Sequence, residues 1–110
     1  MKQPLTFESA SLLLGRKPMV RVARHARLVR ETNYIDMFYY ETPIIRFHAR
    51  GVAQLWSYSD QTPLEDHFSA STKRLINKHS GIHVATHNRK WVVIMTDGTV
   101  TPFEQGMFVY

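Results

Sequence analysis

Long segments of the chain alternate apolar and polar residues with a period of two, the signature of strands with one buried face. Residues 44–50 show it most cleanly, with Ile45, Phe47 and Ala49 on one side and Arg46, His48 and Arg50 on the other. Residues 52–58 continue it, with Gln54, Trp56 and Tyr58 opposite Ala53, Leu55 and Ser57, and Arg50-Gly51 is a tight-turn signal between the two. Residues 34–40 are apolar on both faces except at Asp36, and residues 91–95 are apolar throughout. Both segments therefore predict strands buried on both sides. Residues 82–86 alternate again. Asp97-Gly98 is the strongest hairpin signal, and Pro102 marks residues 100–103 as an edge strand. Gln105-Gly106 turns the chain into a last short strand at 107–110. Thr32-Asn33 and Glu41-Thr42-Pro43 read as turns, and the polar stretch 59–67 as a loop. Residues 16–30 fit neither period well and are expected to be extended, partly irregular, ending in a strand near 26–31.

Two stretches leave the pattern. Residues 69–81 predict a helix capped by Ser69 or Ser71, with a narrow apolar stripe at Leu75 and Ile76. Lys73, Arg74, Lys78 and His79 take the rest of its surface, and Gly81 stops it. A shorter helix is expected after Thr6, with Glu8 in its first turn, Leu12, Leu13 and Leu14 as its apolar part and Gly15 as its end. The expected fold is α+β: an antiparallel sheet of about six strands in two meanders, with one basic helix between them and a short N-terminal helix. Residues 1–22 read as an N-terminal segment and 23–110 as a single domain.

A chain of 110 residues supports one core. Its longest apolar run, 91–95, is far short of the roughly 20 residues a membrane helix needs. The absence of cysteine excludes disulfides, thiolate zinc sites and cysteine nucleophiles, and fits a cytosolic setting. Net charge is +5 and the pI about 9.8, and the positive charge is segregated. Residues 9–30 hold Arg16, Lys17, Arg21, Arg24, Arg27 and Arg30 and no acid; residues 67–96 hold Lys73, Arg74, Lys78, Arg89 and Lys90 and no acid. Such blocks point to a nucleic acid or an acidic protein surface as partner.

Ser71, Thr72 and Lys73 would offer a phosphate the N–H groups and positive dipole end of the helix, with Arg74 and Lys78 continuing the track. The competing role is a Ser71 cap beneath a solvated charged face. Arg21, Arg24, Arg27 and Arg30 recur every three residues and could run beside phosphates, or be tied to Glu31, Asp36 and Glu41. Tyr34, Tyr40, Trp56 and Tyr58 would stack single-stranded bases if they lay on an open sheet face, and would be core or cross-strand pairs otherwise. His79, His83 and His87 are four apart, but Gly81 interrupts their helix, so no metal site is expected. Glu65, Asp66, His67 and Asp97 supply acids near a histidine and Ser69 or Ser71 a hydroxyl, yet there is no nucleophile elbow and no phosphate-cradling glycine loop. The expectation is a non-enzymatic protein without a cofactor.

Several spaced motifs resemble a family of short bacteriophage and prophage proteins of unassigned function. They are Ala23-Arg24-His25-Ala26-Arg27-Leu28, Tyr40-Glu41-Thr42-Pro43-Ile44-Ile45, Ser71-Thr72-Lys73-Arg74-Leu75-Ile76-Asn77, Trp91-Val92-Val93, and Pro102-Phe103-Glu104-Gln105-Gly106-Met107. The resemblance spans residues 23–110; the family's Gly-Gly-Trp before the Ser/Thr-Thr-Lys stretch is missing here. It implies expression in the cytoplasm of an infected bacterium and brings no catalytic residues. The expected role is a host-takeover accessory protein that binds DNA or RNA electrostatically. The alternatives are an anti-CRISPR-like inhibitor that docks on an acidic host protein, and a virion component. An open edge at 107–110 or at the Pro102 strand would allow a homodimer.

Overall fold

The computed structural model describes residues 5–56, 70–80, 82–88, 90–95 and 97–109. Helix α1 (Phe7–Leu14) starts where the sequence predicts, at a reciprocal cap: the Ser9 N–H donates to Thr6 Oγ1 (3.2 Å) and the Thr6 N–H to Ser9 Oγ (2.8 Å). Gly15, at φ 58°, ends it. Of the three leucines only Leu14 is buried, beside Ala10; Leu12 and Leu13 face solvent. Consecutive helical residues lie about 100° apart, so three in a row cannot share one stripe.

The chain then folds into a five-strand antiparallel meander, β1 (Met19–Ala23), β2 (Ala26–Arg30), β3 (Tyr34–Tyr39), β4 (Thr42–His48) and β5 (Ala53–Leu55). The arginine-rich segment is thus extended, broken by an irregularity between Arg21 and Ala23 and by His25 in the left-handed region at φ 65°. Glu41-Thr42-Pro43 is not the turn: Tyr40 and Glu41 are, and Pro43 lies inside β4, opposite Phe38, where the ladder shifts register. A shift of this kind leaves room for a strand residue that has no N–H to donate.

Helix α2 (Ala70–Ser80) leads to a second, three-stranded sheet of β6 (His83–His87), β7 (Lys90–Ile94) and β8 (Val100–Pro102). Ser71 lies inside α2, so it is not the cap, and Ser69 and Gly81 lie outside the described residues. β7 is buried on one face, not two: Trp91 and Val93 are enclosed, while Val92 and Ile94 are half-exposed. A small sheet with only one side on the core leaves its other side to water. Pro102 does sit on an edge strand. The final strand, β9 (Met107–Val109), leaves the second sheet and pairs with β5, giving the order β1-β2-β3-β4-β5-β9. Gly106, at φ 78°, makes that return, with its N–H on the Leu55 carbonyl (2.8 Å) and its own carbonyl accepting from Gln54 Nε2 (2.9 Å). The architecture is therefore antiparallel α+β, with nine strands in two sheets among the described residues.

One core joins these parts. Leu28, Ile35, Met37, Ile45, Phe47, Leu55 and Val109 form the inner face of the large sheet. Ala10 and Leu14 of α1, Ile76 of α2, and Val84, Trp91 and Val93 of the small sheet pack onto it. Asn77 clamps α2 to β6, its Nδ2 donating to the Val84 carbonyl (3.0 Å) and its Oδ1 accepting the Val84 N–H (2.6 Å). Among the described residues no helix is long and apolar enough to cross a membrane.

Candidate nucleic-acid interface

Side chains alternate along a strand, so the residues between the core positions of the large sheet point to its other side. Met19, Val29, Asp36, Arg46, Gln54 and Phe108 are successive register partners from β1 to β9 and form one row across this outer face. Arg21, Arg27 and Phe38 lie in register on one side of the row, and Tyr34 and His48 on the other. Both helices and the small sheet pack on the inner face through the shared core, so no described helix or strand crosses the outer one.

Asp36 is buried at 4% exposure, and Arg46 neutralises it through two hydrogen bonds, Nε to Oδ1 (2.8 Å) and Nη2 to Oδ2 (3.1 Å). The hydrogen bond to Asp36 raises the Arg46 pKa above the ordinary guanidinium value, outweighing the opposite pull of burial. The Arg46 guanidinium lies 4.0 Å from the Tyr34 ring centroid and 5.2 Å from that of Trp56. Arg27 sits 4.8 Å over Phe38, donates to the Tyr40 carbonyl (2.6 Å) and lies 3.9 Å from the exposed Glu41 carboxylate. An ion pair that long and that exposed contributes little. Arg50 lies 6.0 Å from the Phe108 ring. His48 lies between Tyr34 (6.1 Å) and Phe108 (5.5 Å). Because the Gln54 amide nitrogen donates to Gly106, its Oε1 accepts from His48 Nε2 (3.1 Å), which assigns the proton to that nitrogen. At the sheet end, His25 and Tyr40 stack nearly parallel, with centroids 4.5 Å apart and planes at 17°. Both residues have positive φ, 65° and 55°.

The sequence-predicted cations fall into two groups on opposite sides of the large sheet. Arg21 and Arg27 are neighbours on the outer face, and Arg24 is exposed in the turn beside them. Arg30 points inward instead and ties down α1, donating to the Gly15 carbonyl (2.9 Å) and to Ser11 Oγ (3.3 Å). Ser71 and Thr72 lie in the first turn of α2. Lys73 donates to Thr86 Oγ1 (2.8 Å), while Arg74 and Lys78 are exposed. α2 belongs to the inner side, so its cations do not join those of β1 and β2. Of the acids near the arginine segment in the sequence, Asp36 is held by Arg46, and among the described residues Arg21 and Arg24 have no ion-pair partner.

Tyr34 and Trp56 do lie on the outer face, and Tyr40 borders it; Tyr58 is outside the described residues. Arg46, His48, Arg50, Phe38 and Phe108 complete the face and were not singled out in the sequence as binding residues. The alternation in 44–50 already carried the signal for the first three, because it put them on a wet side. His79 is buried, whereas His83 and His87 are exposed on β6, and no group of three potential metal ligands occurs among the described residues. Asp97 belongs to a turn: its Oδ1 accepts the Thr99 N–H (2.9 Å), which lowers its pKa. Glu65, Asp66 and His67 lie outside the described residues. No protein-family model, curated protein or solved structure matches the chain.

Proposed function

We propose that the chain is a non-enzymatic, nucleic-acid-binding accessory protein, and that it binds through the outer face of its large sheet rather than through α2. One observation carries this reading: Arg21, Arg27, Arg46 and Arg50 gather there, the last three against aromatic rings, while Asp36 is already neutralised. Such a face attracts a polyanion and has little to offer a cation. The recognition is electrostatic and weakly selective, since no base-reading element stands out from the sheet. The setting, the cytoplasm of an infected bacterium, rests on the motif resemblance. Fluorescence anisotropy of labelled single-stranded and duplex oligonucleotides at rising salt tests the reading. Affinity is expected to fall linearly in log–log form with salt; no binding of either at about 50 mM salt, where such contacts are strong, overturns it.

An inhibitor acting by protein contact is the second reading, and a different surface favours it. The outer side of the small sheet carries an apolar strip, with Ala85, Val92 and Pro102 in register beside Ile94 and Val100, bordered by the exposed His83, His87 and Lys90. A host protein retained after nuclease treatment, and lost on Val100→Asp, would support this role.

A further inference from the structure

We infer that the occupant of the outer face is single-stranded nucleic acid, with bases stacked on the rings and phosphates at Arg21, Arg27 and Arg50; this rests on the proposed nucleic-acid reading and narrows it. The rings form two runs across the sheet. Phe108, His48 and Tyr34 lead to the Arg46 plane and Trp56, with neighbouring separations of 5.5, 6.1, 4.0 and 5.2 Å. Phe38 leads through Arg27 to the Tyr40–His25 stack. Asp36 and Phe38, two residues apart on β3, join the runs. Six strands at about 4.8 Å spacing make a track of about 24 Å, enough for a few nucleotides.

A duplex hides its base faces and offers such a sheet only phosphates, and no described helix or ribbon rises from this face to enter a groove. An unpaired strand presents a π-face at every base, and stacking asks for rings and guanidinium planes of the kind found here. Among the described residues two aromatic side chains stand out as exposed, Phe108 at 40% on the edge strand β9 and Tyr40 at 54% in the turn between β3 and β4. Tyr40 and its partner His25 are both held in a left-handed backbone that non-glycine residues rarely adopt. The arginines differ in freedom. Arg46 is fixed by buried Asp36 and stays as part of the stacking surface, Arg50 rests loosely on the Phe108 ring, and Arg27, held through one N–H to the Tyr40 carbonyl, keeps its remaining N–H groups for a phosphate.

The test is anisotropy with labelled oligothymidylate of about 12 nucleotides, the matching single-stranded RNA, and a duplex of the same length. Both single strands are expected to bind at least about tenfold tighter than the duplex, and to quench Trp56 fluorescence in a way that Trp56→Phe removes. Phe108→Ala and Tyr40→Ala, each checked for native circular dichroism, are each expected to weaken single-strand binding about fivefold or more without changing the salt slope. Equal binding of duplex and single strand, with both ring variants unaffected, overturns the inference and leaves electrostatic nucleic-acid binding standing. Binding of no oligonucleotide overturns both and leaves the face to a protein partner. Should Phe108→Ala misfold, Tyr40→Ala in the turn and the Trp56 quench in the unaltered protein still decide the matter.

Discussion

Asp36 is a buried carboxylate on a face that otherwise meets water, and Arg46 roofs it with two hydrogen bonds. The two partners are unequally enclosed, with side-chain exposures of 27% for Arg46 and 5% for Asp36. Removing either therefore has different consequences. Arg46→Ala leaves a desolvated, unpaired carboxylate and is expected to cost about 3–5 kcal/mol; Asp36→Ala leaves a guanidinium that can reach water and should cost clearly less. Replacing both by leucine should come close to the original stability, because the desolvation penalty then disappears with the charges. Urea denaturation at neutral pH checks all three. Asp97 makes a second, smaller prediction. Its hydrogen bond from the Thr99 N–H holds its pKa below the ordinary 3.8. A lowered carboxylate pKa stabilises the fold above the unfolded value and ceases to do so as pH falls through the folded one. The hairpin contribution should thus be complete above about pH 4 and fade below it. An NMR titration of the Asp97 carboxyl, with Asp97→Asn as control, reads this directly.

At the scale of elements, α2 is held by contacts that its sequence does not announce. Ile76 is fully buried, as the apolar stripe predicts, but Lys73, expected on the solvated surface, reaches Thr86, and Asn77 satisfies both backbone groups of Val84. Asn77→Ala should strand a part-buried N–H and C=O together and cost about 2–3 kcal/mol, with the Val84 amide losing its hydrogen-exchange protection. Asn77→Asp keeps the acceptor, so that amide should stay protected while overall stability falls less. The helix itself was legible, because the two-residue period is absent between residues 58 and 82 and serine, a Leu75–Ile76 stripe, cations and glycine mark its course. Its docking was not, since the partners of Lys73 and Asn77 come 13 and 7 residues later in the chain. The strands were legible in the same local way, and alternation told correctly that Arg46 and His48 face away from the core. Which sheet each strand joins was not: β9 follows a short turn after β8 but pairs with β5, about fifty residues earlier, through Gly106 and Gln54. The candidate site suffered most from this, because its rings gather from β3, β4, β9 and the residues flanking β5 only once the register, including the shift after Met37, is set.

The molecule as a whole places its +5 charge on two sides of one sheet, which makes the location of binding measurable. Arg21 and Arg27 are neighbours on the outer face; Arg74 and Lys78 are exposed on a helix that packs against the inner face. A packed layer is about 10 Å thick, so the helix cations stand at least that far from a strand bound on the outer face. At about 0.15 M salt the screening length is about 8 Å, and at about 0.01 M it is about 30 Å. Each phosphate contact on a single strand contributes about −0.7 to the slope of log affinity against log salt. Arg21→Glu with Arg27→Glu should therefore flatten the slope by about 1.4 and weaken binding strongly at both salts. Arg74→Glu with Lys78→Glu should leave binding nearly unchanged at the higher salt and weaken it only at the lower one, where their field still crosses the sheet. If the helix pair instead flattens the slope and the sheet pair does not, phosphate contact belongs to α2. Both double variants change net charge by the same amount, so once circular dichroism shows that losing the Arg27 contacts to Phe38 and Tyr40 leaves the fold intact, a difference between them reports where those charges stand.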